Sequence, residues 1–210
     1  MVDFILKNRH EIATLTLEHL WLVGVSMLLS IAIGVPLGIL LSRKAWLSKT
    51  VLATTNIIQT IPSLALFGFL LPAPWLGERA ERLAITALTL YALLPIVRNT
   101  YIGIKGVDAA VVEAARGMGL TDRQLLLRVE LPLAASVILA GIRVATVICV
   151  GVATIAAAVG AGGLGEFIFR GVAMVNNSLI LAGAIPAALM AITADFVLGM
   201  IEARLRPGRT

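Results

Sequence analysis

Five long apolar stretches, each with at most one charged residue inside it, limit what this chain can fold into. They lie at 20–42, 51–71, 83–103, 133–159 and 178–201. A helix needs about 20 apolar residues to cross the roughly 30 Å hydrocarbon core of a bilayer. Apolar residues make up 59% of the chain and its mean hydropathy is +0.98, whereas soluble domains are about 45–50% apolar. The sequence therefore predicts an all-α membrane protein with five transmembrane helices and excludes a water-soluble globule.

The distribution of lysine and arginine predicts the orientation of these helices. Of the 17 cationic residues, 11 fall on the side that holds the 43–50 loop, the 104–132 loop and the C-terminal tail, counting Arg98 near that end of the third span. Cationic loops favour the cytoplasm, so we expect the N-terminus outside and a basic tail, 202–210, in the cytoplasm. The charge asymmetry explains the high isoelectric point without a nucleic-acid partner. Residues 1–19 mix charged and apolar types and are predicted to form an amphipathic helix on the membrane before the first span.

Patterns typical of enzymes, nucleotide sites and metal sites are weak or absent in the sequence. Residues 160–165 fit G-x-G-x-x-G, but they follow a membrane helix instead of a β-strand, so we interpret them as a flexible turn. Glu166 and Arg170, four apart beyond it, are expected to pair. His10 and His19 are too isolated to indicate a metal site, and no nucleophilic triad is visible. We predict no catalytic residue, metal or cofactor on this chain. If ATP drives its function, a partner subunit must bind that ATP.

Two further features of the predicted spans concern helix packing. Gly34 and Gly38 in span one offer a small-residue face for close helix contact. Prolines lie inside four spans, at Pro36, Pro62, Pro95 and Pro186, where each removes a backbone hydrogen bond and favours a kink. A bundle that surrounds a path and changes shape would use such kinks, although proline is also frequent in membrane helices generally.

The long cytoplasmic segment 104–132 carries the strongest pattern. Residues 107–115 predict a short helix that Gly117 and Gly119 stop, and Thr121 or Asp122 can cap a second helix that runs to Glu130. Pro132 stands at the entry to span four. A helix–turn–helix on this face suits docking into a groove of a partner protein, and a plain solvated connection is the alternative.

This segment resembles the "EAA" signature, E-A-A-x3-G-x9-I-x-L-P, of ATP-binding-cassette (ABC) importer permeases. The matching residues are Glu113, Ala114, Ala115, Gly119, Leu131 and Pro132, with Val129 in place of the usual isoleucine. Segments 59–66, 94–101, 103–108, 160–165 and 182–187 are similar to the osmoprotectant branch, the permeases for glycine betaine, carnitine, choline and proline betaine. The resemblance covers nearly the whole chain and implies the five-helix core of type I importers.

By this resemblance the chain is a multi-pass permease subunit in a bacterial cytoplasmic (inner) membrane, and it is not itself an enzyme. Two permeases, identical or paralogous, would form the pathway. Two ATPase subunits, which bind ATP and Mg, would dock on the coupling loop, where the implied residues are Glu113, Ala114, Ala115, Gly117, Gly119, Leu131 and Pro132. An external binding protein would deliver the solute and recognise it, since the eleven aromatic residues of this chain form no cluster suited to a quaternary ammonium group. A methionine permease is the alternative within the family, and a channel or structural membrane subunit is the alternative outside it.

Polar and charged residues inside the spans give two site predictions. Asn56, Gln59, Thr60 and Ser63 surround Pro62 in span two and are candidates to line the translocation path, with hydrogen bonding between helices as the alternative. Arg143 lies about 15 Å from the cytoplasmic end of span four and Asp195 about 9 Å from that end of span five, by helical rise. Because isolated charges are costly in lipid, we expect these two to pair, unless each finds water or backbone partners separately.

Overall fold

The computed structural model describes residues 8–205, and within them every regular element is helical. In chain order the α-helices are α1 (Arg9–Arg43), α2 (Ala45–Thr60), α3 (Ser63–Leu70), α4 (Pro74–Gly77), α5 (Ala80–Lys105), α6 (Ala109–Gly117), α7 (Asp122–Leu125), α8 (Leu131–Ala156), α9 (Gly165–Ala173) and α10 (Asn177–Leu205). A π-helical turn, Leu126–Glu130, joins α7 to α8, and a 3-10 turn, Ala157–Val159, follows α8. Four helical runs in this range are long and apolar enough to cross a membrane, and five if the bent pair α2–α3 is one span. The predicted all-helical, multi-span fold is confirmed.

The predicted second span is broken into α2 and α3, which meet at 102°. The break lies at Pro62, which has no N–H to donate to the preceding turn. The N–H of Ile61 bonds instead to the carbonyl of Ile58, and the hydroxyl of Tyr91 on α5 donates to the carbonyl of Ile61. The carbonyl that the break frees is thus satisfied by a neighbouring helix, which is what allows a break within a membrane segment. The prolines at 36, 95 and 186 stay inside continuous helices.

Helix α5 forms the centre of the bundle, with α1 packed on it from one side and α8 from another. Its buried residues include Leu83, Ala87, Leu88, Ala92 and Ile96, all fully inaccessible to solvent. Small residues allow the close approach. A Cβ added at Gly38 of α1 would lie 2.5 Å from the Cβ of Thr100, and one at Gly141 of α8 would lie 2.5 Å from the Cβ of Asn99. The predicted small-residue contact face of the first span is confirmed.

The start of the chain differs from the prediction of a separate amphipathic helix. Residues 9–19 form the first turns of α1 and continue into the span without interruption. Leu15 is buried in a cluster with Leu164, Phe167 and Leu179, so α9 and α10 cover the apolar face of this segment. This segment therefore packs against other parts of the chain, which its local pattern does not show. Residues 1–7 of that segment and 206–210 of the basic tail lie outside the described residues.

Candidate functional site

The loop between α5 and α8 contains two short helices, α6 and α7, and residues within the loop cap them. The side chain of Asp108 accepts the N–H of Ala110 at 2.8 Å and begins α6. At the other end, Gly119 donates to the carbonyl of Arg116 at 2.9 Å and Leu120 to that of Ala115 at 3.2 Å. This pair of bonds is a Schellman motif, which needs a left-handed residue just past the helix. Gly119 supplies it with φ of +84°, so the predicted stop of the helix at the glycines is confirmed.

The second helix begins at a capping box. Thr121 accepts the N–H of Gln124 at 3.4 Å, and the Gln124 side chain accepts the N–H of Thr121 at 2.9 Å. Of the two predicted caps, Thr121 is therefore the one that the structure uses. The chain then runs through the π turn into α8 without a break, with Leu131 as the first residue of α8 and Pro132 as the second. The N–H of Leu131 bonds to Leu126, five residues back, directly before the proline that cannot continue the ladder.

The motif residues divide into one buried residue and an exposed surface. Ala115 is 2% exposed, whereas Glu113, Ala114, Gly117 and Gly119 are exposed. Met118, beside them, is 74% exposed. Nothing lies within 4 Å of a Cβ added at Gly117 or Gly119. The loop therefore presents an open face that a partner could cover.

An ion pair that the sequence analysis missed lies beside this loop. Arg43, the last residue of α1, donates to Glu130 through Nη1 at 2.9 Å and forms a second bond through Nη2. The Glu130 side chain is 4% exposed and that of Arg43 is 39% exposed. Both border a cavity of about 260 Å³ that Glu113 and Arg116 of α6 also line. Glu130 occupies the unspecified position of the signature, and 87 residues separate it from Arg43, so no local pattern indicates the pair.

Arg143 and Asp195 are brought together by the packing of α8 on α10. The two groups share two bonds, Nε to Oδ1 at 2.6 Å and Nη2 to Oδ2 at 2.9 Å. The remaining Arg143 nitrogen, Nη1, donates to Glu202 at 3.2 Å. Glu202 has a side chain 8% exposed, against 35% for Arg143 and 43% for Asp195. Sequence reasoning missed Glu202 because it follows the predicted end of the fifth span.

The polar residues of the broken span fall into two places. Asn56 is exposed and lines a cavity of about 290 Å³ together with Arg98. Gln59, Thr60 and Ser63 line another, of about 380 Å³, at the break itself, with Tyr91, Ile148 and Val152. Gln59 donates to the carbonyl of Tyr91 at 3.3 Å and Thr60 to that of Ile57 at 2.7 Å. Gln59, Thr60 and Ser63, three of the four candidate path residues, thus lie together at the break. The two hydrogen bonds leave the side-chain oxygens of Gln59 and Thr60 available as acceptors toward the cavity.

The glycine-rich segment on the opposite side is a turn, as predicted. Gly160, Gly162 and Gly163 all have φ near +80° (79°, 82° and 82°), which glycine adopts readily. The N–H of Gly163 donates to Glu18 at 3.0 Å and ties the turn to α1. Arg170 pairs with Glu11 of α1 at 2.6 Å, so the expected Glu166–Arg170 pair is wrong. The folding of α9 against α1 gives Arg170 a partner that helical spacing cannot reveal.

Comparison with known proteins identifies what such an arrangement resembles. Residues 30–207 match the family described as binding-protein-dependent transport system inner membrane component. The chain is 44% identical over 207 residues to a carnitine transport permease protein of Listeria monocytogenes, covering 99% of this chain and 94% of that one. It is 43% identical over 208 residues to an osmoprotectant import permease protein of Salmonella typhimurium, covering 98% and 97%. It is 48% identical over 191 residues to a glycine betaine/carnitine/choline transport system permease protein of Bacillus subtilis, covering 90% and 82%.

Solved structures show the same fold. An inward-facing structure of the MetNI methionine ABC transporter matches with a TM-score of 0.80 and 26% identity, over 90% of this chain and 93% of that one. An amino acid ABC transporter crystallised with histidines matches with a TM-score of 0.76 over 95% and 96%, and at 19% identity this match shows the fold alone.

Proposed function

The chain belongs to the family of binding-protein-dependent transport system inner membrane components, and we propose that it is a permease for osmoprotectants such as glycine betaine, carnitine or choline. It is a membrane permease subunit of an ABC importer and not an enzyme, because a separate subunit hydrolyses the ATP in this family. The observation that carries the proposal is the exposed face of the α6 loop, which runs directly into α8 through the π turn. A channel has no need of such a docking face. Relatives at 43–48% identity support the solute class, whereas the methionine transporter is 26% identical.

The coupling loop is the proposed contact with the ATPase. Closure of two ATPase subunits, which hold ATP and Mg, would press on α6 through the surface that includes Glu113, Ala114, Gly117 and Gly119. The continuous helix from α7 through the π turn into α8 supports direct transmission, since Leu131 and Pro132 start the membrane helix without an intervening flexible loop. Switching elements of this kind are biased by a partner's ligand.

A second permease, identical or paralogous, would complete the pathway. In the most apolar part of α10 only 6% of the residues are buried within this chain, against 67% for α5. Asp195 of α10 and its partner Arg143 of α8 each keep about a third or more of the side chain exposed. Charged groups at membrane depth face a bundle interior or a water-filled path and avoid lipid. We place the second permease or the path against this side, in a bacterial inner membrane, with an external binding protein delivering the solute from the side that holds the glycine-rich turn.

The path would pass the break between α2 and α3. Gln59, Thr60 and Ser63 line the cavity there, together with Tyr91 of α5. Irregular backbone in a membrane is tolerated where it lines a cavity or is covered by protein. The cavity at the break therefore supports solute contact there. Asn56 lines a separate cavity, together with Arg98.

The test of the solute class is transport by the assembled complex. The permease is reconstituted with its ATPase and binding protein in vesicles, and uptake of labelled glycine betaine, carnitine and choline is measured with ATP and with a non-hydrolysable analogue. We expect ATP-dependent uptake of at least one quaternary ammonium solute, and no competition by excess methionine. Uptake of methionine in place of those solutes would overturn the assignment.

A further inference from the structure

We infer that Arg43 and Glu130 are positioning residues that make α1 follow the coupling loop during the transport cycle. The inference rests on the proposed function, because it assigns the pair a place between the ATPase contact and the membrane helices. The pair joins the last residue of α1 to the last residue of the π turn, which is the junction between the loop and α8.

The geometry holds the two helices firmly at this point. The guanidinium binds both carboxylate oxygens, an arrangement that fixes orientation as well as distance. Glu130 is nearly inaccessible, so its charge has little solvent to replace a lost partner. Removal of one member of a buried pair is therefore more disruptive than removal of both.

The π turn explains why Glu130 faces α1. One extra residue in a helical turn rotates everything after it by about 100° relative to the helix before it. Leu125, before the turn, is buried, and Glu130, at its end, is buried as well, while Leu127 and Arg128 between them are exposed. Such turns often mark functional sites, and this one aims a carboxylate at α1.

Above the ion pair, α1 and α8 are already packed together. Ala134 and Ile138 of α8 lie in one buried cluster with Ile104 of α5, and Val35 and Ile39 of α1 pack against it. At the far end, Glu18 of α1 holds the turn that follows α8 through Gly163. Helix α1 thus contacts both ends of α8, and the Arg43–Glu130 pair is the contact nearest to the loop on which the ATPase would act. Without this pair, movement of the loop would deform the π turn before it moved α1.

The first experiment measures solute moved per ATP hydrolysed in the reconstituted complex. Variants are Arg43→Gln, Glu130→Gln, the double Gln variant and the charge swap Arg43→Glu/Glu130→Arg, with Lys44→Gln, the adjacent exposed cation, as the matched control. We expect Arg43→Gln to keep ATPase binding and hydrolysis but to lose on the order of tenfold in solute per ATP. Glu130→Gln, which still accepts a hydrogen bond, should lose less, and the double variant should lose less than Arg43→Gln alone. A normal ratio in Arg43→Gln, or strictly additive losses, would overturn the inference.

The second experiment needs no transported solute, so it separates this inference from the proposed solute class. Spin labels are placed at Leu40 on α1 and Leu127 in the π turn, both exposed, in a Cys149→Ala background. In the complex with intact Arg43, addition of ATP should leave the distance between the labels unchanged, because the two segments move together. With Arg43→Gln the distance distribution should broaden or shift on ATP addition. Identical distributions in both proteins would contradict the inference even if osmoprotectant uptake is normal, and a complex without such uptake would still test it.

Discussion

At the scale of single residues, the backbone conformation of Gly119 favours glycine even though a side chain would have room. Its φ is +84° and no atom lies within 4 Å of an added Cβ, so a side chain would be strained but not crowded. The left-handed conformation costs roughly 1–2 kcal/mol for residues with a Cβ, least for asparagine. Gly117 provides the comparison, because it is equally open but lies within helix α6.

We predict that Gly119→Ala reduces both ATPase co-purification and uptake, with Gly119→Asn milder and Gly117→Ala close to the unaltered protein. The reason is that the Schellman turn positions the end of α6 for its partner. Pull-down of the ATPase and vesicle uptake measure the two effects. Equal behaviour of Gly119→Ala and Gly117→Ala would show that the left-handed turn is not required.

Arg143 of α8, with its partners Asp195 and Glu202 on α10, gives a second prediction at the scale of residues. Asp195→Ala leaves Arg143 bonded to Glu202, so it should reduce folded yield less than Arg143→Ala, which leaves two carboxylates without that cation. The double variant Arg143→Ala/Asp195→Ala should be no worse than Arg143→Ala alone. Yield in detergent and uptake in vesicles are compared across the three proteins. Losses that add would mean that the two residues act separately.

At the scale of elements, the sequence predicted the elements whose causes are local and missed those whose causes are distant. Apolar length located the spans, and Thr121 and Gly119 marked the ends of the loop helices because caps act within four residues. Pro62 indicated a kink, but a 102° break also needs Tyr91 to satisfy the freed carbonyl. Glu130 and Glu202 find their arginines across 87 and 59 residues, and such partners follow only from tertiary packing.

The break between α2 and α3 gives a prediction about water access. Cysteines at 59, 60 and 63, in the Cys149→Ala background, should react with a small water-soluble thiol reagent, because these positions share the cavity at the break. A cysteine at Ala92 of α5, which is fully buried beside Tyr91, is the buried control and should react slowly. Labelling in the presence and absence of ATP tests this. Failure of all three cavity positions to react in every nucleotide state would indicate buried packing instead.

At the scale of the whole molecule, the proposed orientation places α6 in the cytoplasm and the end of α9 outside. Met118, 74% exposed in the loop, and Met174, 67% exposed beyond α9, are matched reporters for the two faces. In right-side-out vesicles a membrane-impermeant thiol reagent should label Met174→Cys and spare Met118→Cys until the vesicles are opened. The reverse pattern would invert the topology and move the coupling loop away from any cytoplasmic ATPase.

In the proposed mechanism, this chain moves solute only when an ATPase acts on its loop. The most direct measurement is uptake of the labelled quaternary ammonium solute that the complex carries, into vesicles with ATP enclosed on the ATPase side. It compares the unaltered permease with Glu113→Lys, which reverses a charge on the exposed docking face. We predict uptake against a gradient that needs ATP and the binding protein, and that falls sharply in Glu113→Lys while the altered chain still inserts in the membrane. Solute flux that continues without ATP, or that is unchanged in Glu113→Lys, would contradict the account and favour a passive channel.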